Sequence, residues 1–268
     1  MTTRKKFPAR PGATLVRAAI LSAVALGGGG CATPGPLHLY TLGAGSAGVF
    51  SVASTSLDAV QDTGPDGTAN VPSFVGPNET LTGFAYDPFT DHFFLRLAPG
   101  NRIRVVDRPA RAIKREFKVD ALSTVGGGDL AIRPRDGHVF ALEPTERAVV
   151  EFTRLGEFVR RLALDALPGP AAGLAYDSAR DRLLVLSGGK VAHVTAHALD
   201  GSLLSSVALD GKITPAALAY DPEKKEFYVP LNSGGAIGVF GEDGRPRGVI
   251  PVPATFLDVG SRSFIRMF

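Results

Sequence analysis

The chain has 268 residues, enough for one large domain or two small ones with a sizeable core. Hydrophobic residues make up 44% and charged ones 21%, the composition of an ordinary folded protein, and 32 glycines with 20 prolines stay below the share that marks low-complexity disorder. No stretch of 18 apolar residues exists, which excludes a multi-span membrane protein, and a single cysteine excludes a disulfide framework and a thiolate-only zinc site.

The first thirty residues read as an address. Arg4, Lys5, Lys6, Arg10 and Arg17 form a basic stretch free of acidic residues, the apolar run Ala18–Leu26 follows, and Gly27–Gly30 lead into Cys31. A run of nine residues, apolar but for Ser22, is too short to span a bilayer but matches the hydrophobic region of a signal peptide. The pattern resembles a bacterial lipoprotein signal, with Gly28 where such signals usually carry leucine. The resemblance implies a signal peptide over 1–30, acylation of Cys31, a short tether over 31–36 and a folded domain over 37–268. Ala32, in place of aspartate, points to the outer membrane under the enterobacterial sorting rule. Thr3–Phe7 faintly resembles a twin-arginine signal, but a generic basic region describes it better.

Removing this segment reverses the charge. The whole chain carries 29 basic and 26 acidic residues, hence +3; five of the basic ones lie in 1–30, which leaves 24 against 26, hence −2. The basic balance of the whole chain therefore reflects the leading segment and carries no hint of nucleic-acid binding.

From residue 80 onward the sequence repeats. Gly83–Pro88, Asp129–Pro134, Gly173–Ser178 and Ala217–Pro222 read alike, and their shared alanines Ala85, Ala131, Ala175 and Ala219 stand 46, 44 and 44 residues apart. Each repeat divides into four short β-type runs separated by turn residues, with no run long enough for a helix of three turns. In the first, Gly83–Asp87 is followed by Phe93–Leu97, Arg102–Asp107 and Ile113–Val119. In the third, Gly173–Asp177 is followed by Arg182–Leu186, Val191–Leu199 and Leu203–Leu209. The second runs, such as Leu183–Leu186, are apolar on both faces, as befits a strand covered by neighbouring sheets. Radial stacking of four-stranded sheets buries both faces, and this is the β-propeller solution.

The blade-opening pattern Gly-hydrophobic-Ala-hydrophobic-Asp resembles that of NHL-repeat and lactonase-type propellers over residues 80–252. The fold class expected is all-β, a propeller of four-stranded blades numbering five, with six as the alternative. Leu37–Leu42, Val49–Ser54 and Ser56–Gln61 at one end, and Thr255–Val259 and Ser263–Phe268 at the other, lack the repeat's anchor. A blade built from both would close the ring and remove its open edge; a degenerate blade over 37–75 would make six.

Few residues suggest chemistry. Asp87, Asp177 and Asp221 end the first run of three repeats, where an aspartate serves a turn by accepting from the backbone two residues on. His193 and His197 fall on one strand, which separates them by about 13 Å, too far to share a metal ion. Gly126–Gly128 precedes a strand rather than a helix and reads as a flexible connection. No nucleophile elbow is present, so no catalytic residue is named.

The loops entering first strands and joining second to third strands gather Glu79, Asn101, Arg102, Asp129, Glu143 and Asn232 on one face. These are the candidate binding residues. Lactonase-type propellers hold calcium near the channel mouth, and the resemblance implies that this oxygen-rich set could contribute to such a site and to a hydrolase activity. The favoured expectation is a monomeric, non-catalytic binding or scaffold domain without a cofactor. It would be lipid-anchored to a bacterial envelope membrane, facing the periplasm or cell exterior, and would hold a protein or an envelope polymer.

Overall fold

A computed structural model of the chain describes residues 37–42, 49–53, 60–62, 74–110, 112–213, 215–231, 235–251 and 254–261. The expected signal, tether and Cys31 lie outside these residues, as do Asn232 and the run Ser263–Phe268.

The described residues are all-β, in four-stranded blades arranged as a propeller. One sheet holds β4 (Thr80–Asp87), β5 (His92–Ala98), β6 (Arg102–Asp107) and β7 (Ala112–Lys118). The next holds β8 (Leu130–Ile132), β9 (Val139–Glu143), β10 (Ala148–Phe152) and β11 (Phe158–Ala163). A third holds β12 (Ala171–Asp177), β13 (Arg182–Ser187), β14 (His193–His197) and β15 (Leu203–Ala208). A fourth holds β16 (Ala219–Asp221), β17 (Glu226–Pro230), β18 (Ile237–Gly241) and β19 (Pro246–Ile250). A further sheet joins distant parts of the chain: β20 (Phe256–Ser261) pairs with β1 (Leu37–Leu42), which pairs with β2 (Val49–Ala53), followed by β3 (Val60–Asp62). Neighbouring strands are antiparallel throughout, from Leu37 opposite Ser261 at one end of the β1–β20 ladder to Leu42 opposite Phe256 at the other.

Burial follows strand position. β9 and β10 are buried along their whole length, whereas the outermost strands β7, β11 and β15 are exposed at nearly every residue. Adjacent sheets pack face to face, with Phe94, Ile103 and Val105 of one blade meeting Val139, Ala141 and Val150 of the next.

The first strand of each blade lies innermost and packs on the first strand of its neighbours: β4 beside β8, β8 beside β12, β12 beside β16, and β20 beside both β16 and β4. Space is scarce there. A Cβ added to Gly83 would stand 2.6 Å from the carbonyl oxygen of Gly128 in the adjacent blade, so glycine is what lets these two backbones approach. Ala85, Ala131, Ala175 and Ala219, the alanines of the repeat, are all buried.

Asp87, Asp177 and Asp221 perform the turn role expected of them. Their Oδ1 atoms accept from the N–H groups of Phe89 (3.1 Å), Ala179 (3.1 Å) and Glu223 (2.8 Å), each two residues on. Two also tie arginines: Arg154 of the next blade donates to Asp87, and Arg182 to Asp177 at 2.8 Å.

Candidate functional site

An innermost strand has no neighbour on its axial side, so every second N–H group along it points at the propeller axis without a ladder partner. One side chain collects four of them. Asp129 is fully buried, and its Oδ1 accepts from the N–H groups of Phe84 (3.3 Å) and Leu130 (3.0 Å). Its Oδ2 accepts from those of Leu174 (3.1 Å) and Leu218 (3.2 Å). The donors come from the first strands, or their entries, of four successive blades. Burial pushes this carboxyl well above the usual carboxylate range, against the opposing pull of its four N–H partners. In the repeat alignment Asp129 occupies the position held by Gly83, Gly173 and Ala217, whose small size leaves room for it.

At the end where the first strands begin, charged side chains are interlocked. Arg104 grips Glu79 with both terminal nitrogens (2.6 and 2.9 Å) and also binds Glu116 (2.6 Å). Arg102 reaches Glu79 at 2.8 Å and Glu116 at 3.1 Å. With the Gly76 N–H donating as well (2.7 Å), the Glu79 carboxyl is held down at about 2, chiefly by Arg104. A second pair lies deeper: Arg96, fully buried, meets Glu143 at 2.5 Å and donates to the carbonyl of Leu142 at 2.7 Å. Gly127, at φ +138°, provides the space, since a Cβ there would stand 2.7 Å from the guanidinium carbon of Arg96.

Of the six loop-face candidates, Glu79 and Arg102 thus share one ion-pair cluster. Asn101 is buried and donates to the carbonyl of Val119 (2.8 Å), which fixes a loop. Asp129 and Glu143 are enclosed in the interior rather than displayed. Asn232 lies outside the described residues. Among the described residues no three histidine, cysteine, aspartate or glutamate side chains are grouped as a metal would require. His197 is buried between the Gly201 carbonyl (3.0 Å) and the Thr195 hydroxyl (2.9 Å), a structural placement.

At the opposite end, where the first strands finish, a cavity of about 270 Å³ opens at the axis. Pro88, Pro134, Ser178 and Pro222, equivalent residues of the four repeats, border it, together with Tyr86, Tyr176, Tyr220, Glu223 and Asp258. Asp258 of β20 accepts from the Tyr86 N–H (2.8 Å) and from that of Val259 (2.8 Å), and burial pushes its carboxyl up to about 7. Nothing in the sequence singled out Asp258, because β20 lacks the repeat motif. Arg96 is one polar residue within an apolar strand, and its signal in the sequence is the glycine run 126–128 that accommodates it.

Fold and site together define a β-propeller whose axis is sealed by a carboxylate at one level and open as a cavity at another. No protein-family model matches the sequence, and no curated protein matches it. Solved structures share the fold at low identity. A chain in a nidogen/laminin complex is similar with a TM-score of 0.53 and 10% identity, over 84% of this chain and 98% of that one. Glutaminyl cyclase from Myxococcus xanthus is similar with a TM-score of 0.50 and 16% identity, over 69% of this chain and 72% of that one. A catalytically inactive virginiamycin B lyase from Staphylococcus aureus, crystallised with quinupristin, has a TM-score of 0.48 and 12% identity, over 81% of this chain and 71% of that one. The likeness to the first two structures carries the fold and no activity.

Proposed function

We propose that this chain is a non-catalytic binding or scaffold propeller of five blades, the last assembled from both ends of the domain. In this reading Cys31 is acylated and anchors the domain to a bacterial envelope membrane, outer rather than inner. One face is then presented to the periplasm or cell exterior for a protein or envelope-polymer partner. The observation that supports binding over catalysis is the state of the loop-face carboxylates. Glu79 is saturated by Arg104, Arg102 and the Gly76 N–H, and Glu143 faces Arg96. A general acid or base must exchange protons near the working pH, and a carboxyl held at about 2 by two arginines is poorly suited to that work. The same interlocking fixes the shape of the surface, which favours recognition by a rigid face.

Two experiments test the reading. Purified protein assayed against a panel of lactones and phosphoesters, with and without calcium, is expected to show no turnover, while affinity capture recovers a specific envelope partner. Turnover lost in Glu79→Gln or Asn232→Ala would establish the calcium-dependent hydrolase instead. Cell fractionation of Cys31→Ser is expected to move the protein out of the membrane fraction; retention there would sink the lipoprotein assignment.

A further inference from the structure

The cavity at the far end of the axis has an unusual charge pattern for this chain. Four of the buried carboxylates, Asp87, Glu143, Glu151 and Asp177, each face an arginine (Arg154, Arg96, Arg133 and Arg182 respectively), whereas Asp129 is held by four backbone N–H groups. Asp258 lines the cavity, is half-buried and, among the described residues, accepts from two backbone N–H groups, one at each oxygen, which leaves about two of its roughly four lone-pair sites for a further donor. Among the described residues no basic side chain lines the cavity, and its ionisable members besides the tyrosines are two acids, Asp258 and Glu223.

The walls are fixed. The hydroxyls of Tyr86, Tyr176 and Tyr220 point away to acids of their own blades, Asp91, Asp181 and Glu242. Pro88, Pro134, Pro222, Ile132, Ala175 and Val259 supply rigid apolar surface. Strand alternation adds acceptors. The N–H groups of Leu130, Leu174 and Leu218 face the axis, so the residues two further on, Ile132, Tyr176 and Tyr220, turn their backbone edges the same way, carbonyls included.

We propose that this cavity binds a small aliphatic primary amine, with Asp258 as the counter-ion of its ammonium group and the proline-rimmed wall around its hydrocarbon body. An ammonium carries three N–H donors, which one carboxylate and inward-facing carbonyls can satisfy. A volume of about 270 Å³ suits a molecule of several heavy atoms, given that one water takes about 30 Å³ of liquid. Calcium fits less well, because it needs six to eight oxygen ligands and no cluster of three acidic or imidazole side chains exists among the described residues. The burial that pushes Asp258 up to about 7 is the penalty that a bound cation would relieve. The site lies at the end of the axis opposite Glu79 and Arg104, and it stands or falls independently of the partner-binding face.

Calorimetric titration of the full-length chain at pH 8 tests this, with n-butylammonium chloride as the probe and 1-butanol and calcium chloride as comparisons. Saturable binding of n-butylammonium alone is expected, weakened about tenfold or more in Asp258→Asn. Ser178 is exposed at the rim, so Ser178→Arg should leave the fold intact while placing a cation at the mouth, and binding should be lost there too. This second variant decides the matter if Asp258→Asn fails to fold. Absence of saturable amine binding, equal binding of 1-butanol, calcium binding without amine binding, or amine binding unchanged in Ser178→Arg would each overturn the proposal.

Discussion

Replacing Asp129 by alanine gives the second repeat the small residue that the others carry as Gly83, Gly173 and Ala217. It also strips four buried N–H groups, those of Phe84, Leu130, Leu174 and Leu218, of their acceptor. An unsatisfied buried donor costs about 1–3 kcal/mol, so four left bare would cost about 4–12 kcal/mol. The vacated volume admits water, and one water supplies two acceptor lone pairs, which halves the loss to about 2–6 kcal/mol. Removing a buried charge returns part of that. For a domain of this size each kcal/mol lowers Tm by about 2–4 °C, so a fall of roughly 4–24 °C is expected. Differential scanning calorimetry with urea unfolding measures it, and Asp129→Asn provides an internal comparison. Asparagine keeps one acceptor oxygen but turns an NH2 group toward two N–H donors, so it should also destabilise. A Tm within 2 °C of the parent for both variants would refute the reasoning: the carboxylate would then not be what holds the inner strands together.

Three further outcomes are expected. Arg96→Met, which leaves Glu143 buried without its cation, should destabilise by about 3–5 kcal/mol, and adding Glu143→Leu should recover most of that; no recovery in urea unfolding would mean that the pair is not the coupled unit described. Gly127→Ala should cost about 1–3 kcal/mol, from backbone strain at φ +138° and the 2.7 Å approach to Arg96, and clearly more than Gly126→Ala, whose added Cβ meets nothing within 4 Å. Glu79 is held at about 2 against an ordinary 4.5, so its contribution to stability is complete above about pH 4.5 and lost as pH falls toward 2; stability curves of Glu79→Gln should be flatter over that window, and identical slopes would count against the Arg104–Glu79 pairing.

The blade grammar was legible because burial on both faces imposes apolar runs, and tight turns impose Asp, Pro and Gly. Arg182–Leu186 was therefore readable almost to its observed bounds, Arg182–Ser187. Of the expected run Ser56–Gln61 only Val60 and Gln61 fall among the described residues, and both lie in β3, which continues to Asp62. The axial chemistry was half legible. Asp129 stood out as polar, but a linear pattern cannot say whether such a residue meets solvent or the convergence of four inner strands. The substitution of aspartate into a column otherwise holding glycine and alanine was the informative signal. Arg96 and Asp258 depend on residues 47 and 172 positions away, Glu143 and Tyr86, and separations of that order are set by ring geometry alone.

The pairing of β1 has a mechanical consequence. Although it comes first in the described chain, β1 is an interior strand of its sheet, held by β20 on one side and β2 on the other. A pull exerted at residue 36 along the strand would load both ladders in shear, so that hydrogen bonds on two flanks share the tension and rupture together instead of peeling off one at a time. An edge strand in that position would bear the load on one flank only. The domain can thus be tugged from its leading end without that end acting as its weakest seam.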